Sequence, residues 1–489
     1  MTDHSAIPAD AAADLGTIAP PMMPAPPSLP PPLPPRTAAP KPARIIAMDF
    51  ARGAALLGIF FVNAQSFAVP FAEMVGGAPA AEGTLSRVVH AFTKIFCEGK
   101  SYPLFSLLFG AGFAALYLSA RARGARFTPL MIRRLGALAL FGIAHIILLW
   151  PGDILLCYAL CALPMILLVR LSPLILVIIG AVVMFVATIV SSAFFYLISV
   201  FPAPAAPAGA LETFSAEAPF GANLRTIFQH GTGIMDPRMA ELETFVFRHG
   251  PFADAAVLRL ISYGYSVIFL LAVMVLTILG CFCVGVALFK SGVLRGAHPR
   301  ILYLMLALGL LIGFPLQFLH FRAEFVEFGD SPIWAPLGMF AMSFGGPLVS
   351  LMYLALAVII CQYASRPANA RGALASTARI AIDSIARVGK VGLTGYLLES
   401  LLMSAVMMHW GFAQFGLTTW GKRGGYVLAI YALILIFANL WTRRFALGPM
   451  EWIWRAVTYL RWPPLHLPSR QSADLPAGGT PAPPQPSEA

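Results

Sequence analysis

The chain is predicted to be all-α: a polytopic integral membrane bundle of about ten transmembrane helices between two disordered Pro/Ala-rich tails. Three observations predict it. Of 489 residues, 58% are hydrophobic and only 11% charged, with a mean hydropathy of +0.78, which is far too apolar for a soluble domain. Several apolar runs are long enough to cross a hydrocarbon core, which takes about 20 residues of helix. Basic residues collect in alternate loops, as they do on the cytoplasmic side of multispanning proteins. Those loops account for the net charge of +11, so nucleic-acid binding is not expected.

Residues 1–43 hold thirteen prolines and no apolar signal-peptide core, and read as a disordered, partly polyproline cytoplasmic tail. Residues 462–489 repeat that composition, and such tails are poor carriers of a folded site. Between them, in a membrane domain over 44–461, the apolar runs predict spans at 50–70, 102–119, 135–150, 154–169, 174–201, 261–288, 301–320, 338–364, 391–409 and 426–441. Arg121, Arg123, Arg126, Arg133 and Arg134 fill the second loop, Lys290, Arg295 and Arg300 the sixth, and Arg366, Arg371, Arg379, Arg387 and Lys390 the eighth. This charge pattern puts those loops and both termini in the cytoplasm, while Glu324, Glu327 and Asp330 mark the seventh loop as external. Two outer loops are long, 71–101 and 202–260. The second includes an amphipathic helix, MAELETFVFRHG, suited to lie on the bilayer or to roof a cavity.

The first span, RIIAMDFARGAALLGIFFVN, carries Asp49 and Arg52 at its inner end and Asn63 near its outer end, each costly in hydrocarbon unless paired or facing water. Arg52 and Asn63 are eleven residues apart, hence on one face and about 16 Å apart along the axis. A snorkelling ion pair and a helix-joining asparagine explain these residues as readily as a site does. His145, in FGIAHIILLW, lies about one and a half turns below the outer surface, and imidazole exchanges protons near neutral pH. Asp153 follows the tight Trp150-Pro151-Gly152 turn. The two read either as a general base with its orienting carboxylate, or as a carbonyl-bonded histidine and a plain helix cap.

Glu399, two to three turns into the ninth span, must be protonated, paired or wet; Arg52 is a candidate partner and Tyr396 lies on a neighbouring face. Lys100, before SYPLFSLLFGAG, attracts an anion at the outer mouth or simply anchors the span at the interface. Cys97, Cys157, Cys161, Cys281, Cys283 and Cys361 lie in or beside apolar runs without metal-ligand spacing, so they are read as core and no metal is expected. No P-loop, GxSxG elbow, HExxH or dinucleotide fingerprint occurs in a suitable context.

The first-span motif, EGKSYPLFSLLFGAGFA, RRLGALALFGIAHIILLWPGDILLCYAL, VGKVGLTGYLLESLL and RRFALGPMEWIWRAVTY together resemble the YeiB family, bacterial inner-membrane proteins defined by a domain of unknown function; the match runs from about Arg44 to Arg461. That family is similar to transmembrane acyltransferases, including heparan-α-glucosaminide N-acetyltransferase and the acyltransferase-three O-acetylases. In the O-acetylases an arginine of the first helix is followed, after ten residues, by a catalytic histidine. Here that spacing leads from Arg52 to Asn63; the heparan-type enzymes also resemble this chain in having asparagine there, and His90 is the positional counterpart of their loop histidine. The resemblance implies an inner-membrane enzyme that takes an acyl group from cytoplasmic acyl-CoA to an extracytoplasmic glycan or a lipid. In it, His145 is the base, Asp153 its orienting partner and Asn63 an oxyanion donor; Arg52 meets the donor, and Asp49, Lys100, Tyr396 and Glu399 are substrate-binding candidates. Against this stand a transporter or channel lined by Arg52, Glu399 and Asn63, and an accessory membrane subunit without chemistry. No persuasive inverted repeat favours the transporter.

Overall fold

A computed structural model describes residues 45–76, 83–201, 215–230, 233, 236–324, 333–365 and 373–466. The tails at 1–43 and 467–489, and the charges Arg36, Lys41, Arg44, Glu82, Glu327, Asp330, Arg366 and Arg371, lie outside the described residues. Among the described residues the architecture is all-α, with one isolated bridge, Phe445 to His466, and no strand.

Among the described residues eight helices, some of them composite, are long and apolar enough to cross a membrane: Ile46–Ser66, Thr84–Ala122, Phe127–Leu148, Pro173–Val200, Phe252–Lys290, Pro299–Glu324, Trp334–Ser365 and Trp420–Trp441. In chain order the elements used below are α1 (Ile46–Ser66), α2 (Phe71–Gly76), α3 (Thr84–Phe92), α4 (Ser101–Ala122), α5 (Phe127–Leu148), α6 (Leu155–Cys161), α7 (Met165–Leu168), α8 (Pro173–Val200), α9 (Phe220–His230), α10 (Pro237–His249), α11 (Phe252–Phe269) and α12 (Val275–Lys290). There follow α13 (Pro299–Leu308), α14 (Phe314–Glu324), α15 (Trp334–Ser365), α16 (Ala373–Lys390), α17 (Gly392–Met407), α18 (Trp420–Trp441) and α19 (Pro449–Tyr459).

Two expected spans differ from this set. The ninth is the 16-residue α17, and the fourth, 154–169, is not one helix but the short α6 and α7 broken before Pro164, whose ring removes a backbone donor. A continuous helix over 155–168 would rise only about 21 Å. The break still returns the chain to the opposite face: Lys290 Nζ at the end of α12 donates to the carbonyls of Val169 (3.0 Å) and Leu171 (2.6 Å), and Arg121 at the end of α4 is within electrostatic range of that lysine.

The second span also begins earlier than its hydropathy suggests. Residues expected in an outer loop form α3 and a π turn, Thr93–Cys97, and only Glu98–Lys100, with Gly99 at φ +73°, interrupts the helix before α4. Charge is tolerated there because it is paired. Lys94 Nζ lies 2.9 Å from Glu98 and 3.2 Å from Glu324 of α14, and Glu324 also meets His90 Nε2 at 3.3 Å.

The bundle packs on small residues. A methyl group on Gly285 of α12 would stand 2.0 Å from the Leu107 carbonyl oxygen of α4, and one on Gly110 would stand 2.3 Å from that of Phe282, so only glycine lets these backbones touch. In the core between them Tyr158 of α6 is buried, its hydroxyl 2.7 Å from Ser106 Oγ and donating to the Tyr102 carbonyl at 3.0 Å. The amphipathic segment is α10. Asp236 caps it by accepting from Arg238 N–H at 2.9 Å, Pro237 opens it, and Met239, Leu242, Glu243, Val246 and Phe247 form its buried face.

Candidate functional site

The site begins at the end of α5. The helix closes on the His145 carbonyl, which accepts from the N–H groups of Leu149 (2.9 Å) and Trp150 (3.0 Å), and the chain reverses through Trp150-Pro151-Gly152. Gly152 is required here, since a Cβ would strike the Trp150 ring. The reversal brings Asp153 back beside His145, with Asp153 Oδ2 2.9 Å from His145 Nδ1 and both side chains wholly buried. Asp153 Oδ1 accepts from Leu156 N–H at 2.8 Å, in the first turn of α6. One carboxylate thus accepts from the first turn of α6 and contacts an imidazole at the same time.

An imidazole that donates Nδ1–H to a carboxylate presents a lone pair at Nε2. That Nε2 is buried and without a hydrogen-bond partner. Tyr396 of α17 lies against the ring with centroids 5.1 Å apart, and Trp150, stacked on Phe67 at 4.3 Å, presents its edge at 6.2 Å. One turn beyond Tyr396 on the same helix, Glu399 is buried and its Oε1 has no hydrogen-bond partner.

Two cavities adjoin this pair. The first, a chamber of about 240 Å³, is lined by Asp153 together with Asn63, Ser66, Glu243, Ser262 and Ser266 among apolar side chains. The second, a groove of about 590 Å³ between α5, α17 and α18, is lined by His145 and, apart from Thr394, by apolar residues such as Phe141, Leu398, Leu401 and Leu433.

The remaining expected residues lie apart from the dyad. Arg52 Nη1 donates to Asp49 Oδ1 at 3.1 Å and to the Gly389 carbonyl at 3.4 Å, which joins α1 to α16. Lys100 faces no open mouth: it is fully buried and gives its ammonium to the Lys94 carbonyl at 2.6 Å. All six cysteines are buried and free, and among the described residues no cluster of His, Cys, Asp or Glu is arranged to hold a metal.

Glu243 is the residue sequence reasoning missed. It is 2% exposed, its Oε2 accepts from Phe71 N–H at 2.8 Å and its Oε1 from Ser262 Oγ at 2.9 Å. Burial pushes its carboxyl up to about 7 against the pull of those two bonds, and nearby Glu73 adds to the rise. A signal did exist: Glu243 sits on the apolar face of its helix, between Met239, Leu242 and Val246, where a carboxylate needs a reason.

Residues 288–461 match the family described as "Protein of unknown function (DUF418)". The chain is 28% identical over 433 residues to "Uncharacterized protein YxaH" of Bacillus subtilis (strain 168), covering 86% of this chain and 96% of that protein. It is 28% identical over 434 residues to "Uncharacterized protein YeiB" of Escherichia coli (strain K12), covering 85% and 96%. A third relative, "Uncharacterized 39.9 kDa protein in amylase 3'region" of Bacillus acidopullulyticus, is 25% identical over 428 residues. No solved structure matches. The family resemblance carried by the motifs is borne out.

Proposed function

We propose that this YeiB-family chain is a membrane-embedded acyltransferase of the bacterial cytoplasmic membrane, with both termini in the cytoplasm, that moves an acyl group from cytoplasmic acyl-CoA to an extracytoplasmic or lipid acceptor. The single observation that carries the reading is the buried His145–Asp153 pair at 2.9 Å with an unpartnered Nε2, between a polar chamber and an apolar groove. His145 Nε2 takes the proton of the acceptor hydroxyl or amine as that atom attacks the thioester carbonyl. Asp153 stabilises the imidazolium and holds its tautomer. Asn63, on the chamber wall, is the candidate donor to the developing oxyanion. Collapse of the tetrahedral intermediate breaks the carbon–sulfur bond, and the imidazolium proton leaves with the thiol. Similarity of the family to transmembrane acyltransferases points the same way.

The test is mass spectrometry of lipids and glycans from cells with and without the gene, together with transfer of labelled acyl groups from acyl-CoA in isolated membranes. One acyl modification should disappear with the gene and return with the wild-type chain but not with His145→Ala. The competing transporter reading draws on Glu399, buried with an unpartnered oxygen, since such groups also mark ion paths. It predicts acyl profiles unchanged by loss of the gene and a solute flux abolished by Glu399→Gln.

A further inference from the structure

The two cavities differ sharply in polarity and meet at one bonded pair. Asp153 belongs to the wall of the chamber, whose other polar groups include Asn63, Ser66, Glu243 and Ser262, while His145 belongs to the wall of the groove, whose one other polar lining residue is Thr394. Imidazole and carboxylate are 2.9 Å apart and both wholly buried, so the pair is the partition between polar surroundings on one side and hydrocarbon surroundings on the other. The groove is open to the bilayer side of the bundle: among its lining residues Leu148 is 50% exposed, Leu401 42% and Leu433 57%, on three helices that present such leucines to lipid. It runs along α17 from Thr394 to Leu402, eight residues or about 12 Å, and its volume falls in the range of about 300–1,000 Å³ typical of ligand sites.

We infer that the acceptor is a membrane lipid, its hydroxyl-bearing head in the chamber and its hydrocarbon chain in the groove beside His145. A water-soluble sugar or amine has nothing to place in a groove of leucine and phenylalanine, whereas a lipid chain enters it sideways from the bilayer without crossing water. The buried, unpartnered Nε2 is the second observation that points to a ligand, because a polar atom in such surroundings calls for a partner, and the lipid hydroxyl supplies one. The inference rests on the acyl-transfer reading for its chemistry but not for its binding. In the reaction the lipid oxygen forms an ester bond to the acyl carbonyl carbon, the carbon–sulfur bond of the acyl thioester breaks, and the hydroxyl proton passes through His145 Nε2 to the departing thiolate. No oxidant or reductant is needed.

The experiment uses the full chain in phosphatidylcholine vesicles containing a monoacylglycerol whose chain ends in a photoreactive diazirine. Illumination and peptide mapping should concentrate label on 394–402 and 433–437. Ala144→Trp, which adds bulk beside His145 on the exposed face of α5, should lower that labelling roughly tenfold, as should Leu401→Trp from the opposite wall. Leu428→Trp, exposed on α18 but outside the groove's lining, should leave it unchanged. Label spread over all lipid-facing helices in proportion to exposure, or unaltered in both groove variants, overturns the inference. Transfer from a thioester to a water-soluble acceptor that both groove variants leave intact overturns it too, while the acyl-transfer reading survives. Groove-specific labelling without any transfer by the wild-type chain supports the lipid site and refutes the transfer reading instead.

Discussion

At His145 and Asp153, geometry and chemistry can be separated by choice of substitution. Asp153→Asn keeps an oxygen for Leu156 N–H, so the cap survives, but it cannot stabilise an imidazolium by charge. His145→Ala and Asp153→Asn should each lower acyl transfer by about 10²–10⁴-fold at normal abundance in the membrane. The double variant should be little worse than either, as groups acting together behave. Full activity in His145→Ala would move the search for a base to His90 or Glu399. Glu243 makes a pH prediction whose sign is fixed. Its folded pKa, about 7, is raised from the ordinary 4.5, so the folded chain binds more protons than the unfolded chain between those values. Stability should therefore be greatest below about pH 4.5 and fall by about 3 kcal/mol as pH rises to about 7, then level off. Glu243→Gln, a permanent mimic of the neutral acid, should flatten that decline in thermal melts of purified protein followed across this window.

At the scale of elements, helix contact depends on absent side chains. Gly285→Ala places a methyl group against the Leu107 carbonyl and should destabilise the protein by about 1–3 kcal/mol, the usual cost of overpacking. Gly136→Ala on α5, with nothing within 4 Å of the added carbon, should leave stability unchanged or raise it slightly through helix propensity. Denaturant or thermal unfolding of the two variants side by side measures the difference. The α1–α16 junction depends instead on a planar cation. Arg52 reaches both Asp49 and the Gly389 carbonyl through Nη1, at the end of a rigid, weakly hydrated guanidinium whose placement a lysine ammonium on a flexible stem does not reproduce. Arg52→Ala should abolish acyl transfer in a protein still inserted in the membrane, and Arg52→Lys should restore little of it. Full rescue by lysine, in the same membrane assay, would leave the arginine only a charge anchor.

For the whole molecule, the prediction is topological. Ten passes, two of them the broken α6–α7 segment and the short α17, with the basic loops in the cytoplasm, put Arg126 and Gly233 on opposite sides of the membrane. Reporter fusions after Arg126 and after Gly233 should give opposite compartment signals, and the same signal from both would break the arrangement. The roof role of α10 belongs to this scale as well, because Glu243 and Phe247 line a chamber whose other walls come from α1, α4 and α11.

Hydropathy, charge placement and periodicity are properties of neighbouring residues, so the membrane class, most of the spans, the amphipathic α10 and the family resemblance are legible along the chain. The His145–Asp153 pair was legible for the same reason: eight residues and a Trp-Pro-Gly reversal make its partners neighbours in space as in the chain. The break in the fourth span was within reach, since Pro164 stands inside it, but a window average of hydropathy does not weigh one missing N–H. Tertiary structure alone decided the rest. Lys94 and His90 sit in a helical arm and not a loop because Glu324, 234 residues from His90, arrives to pair with both, while Glu98 just beyond the arm pairs with Lys94. Glu243 enters the chamber because Phe71 and Ser262 hold it there, 172 and 19 residues away. The groove exists only where α5, α17 and α18 meet, and no local pattern along the chain encodes which distant helices will share a wall.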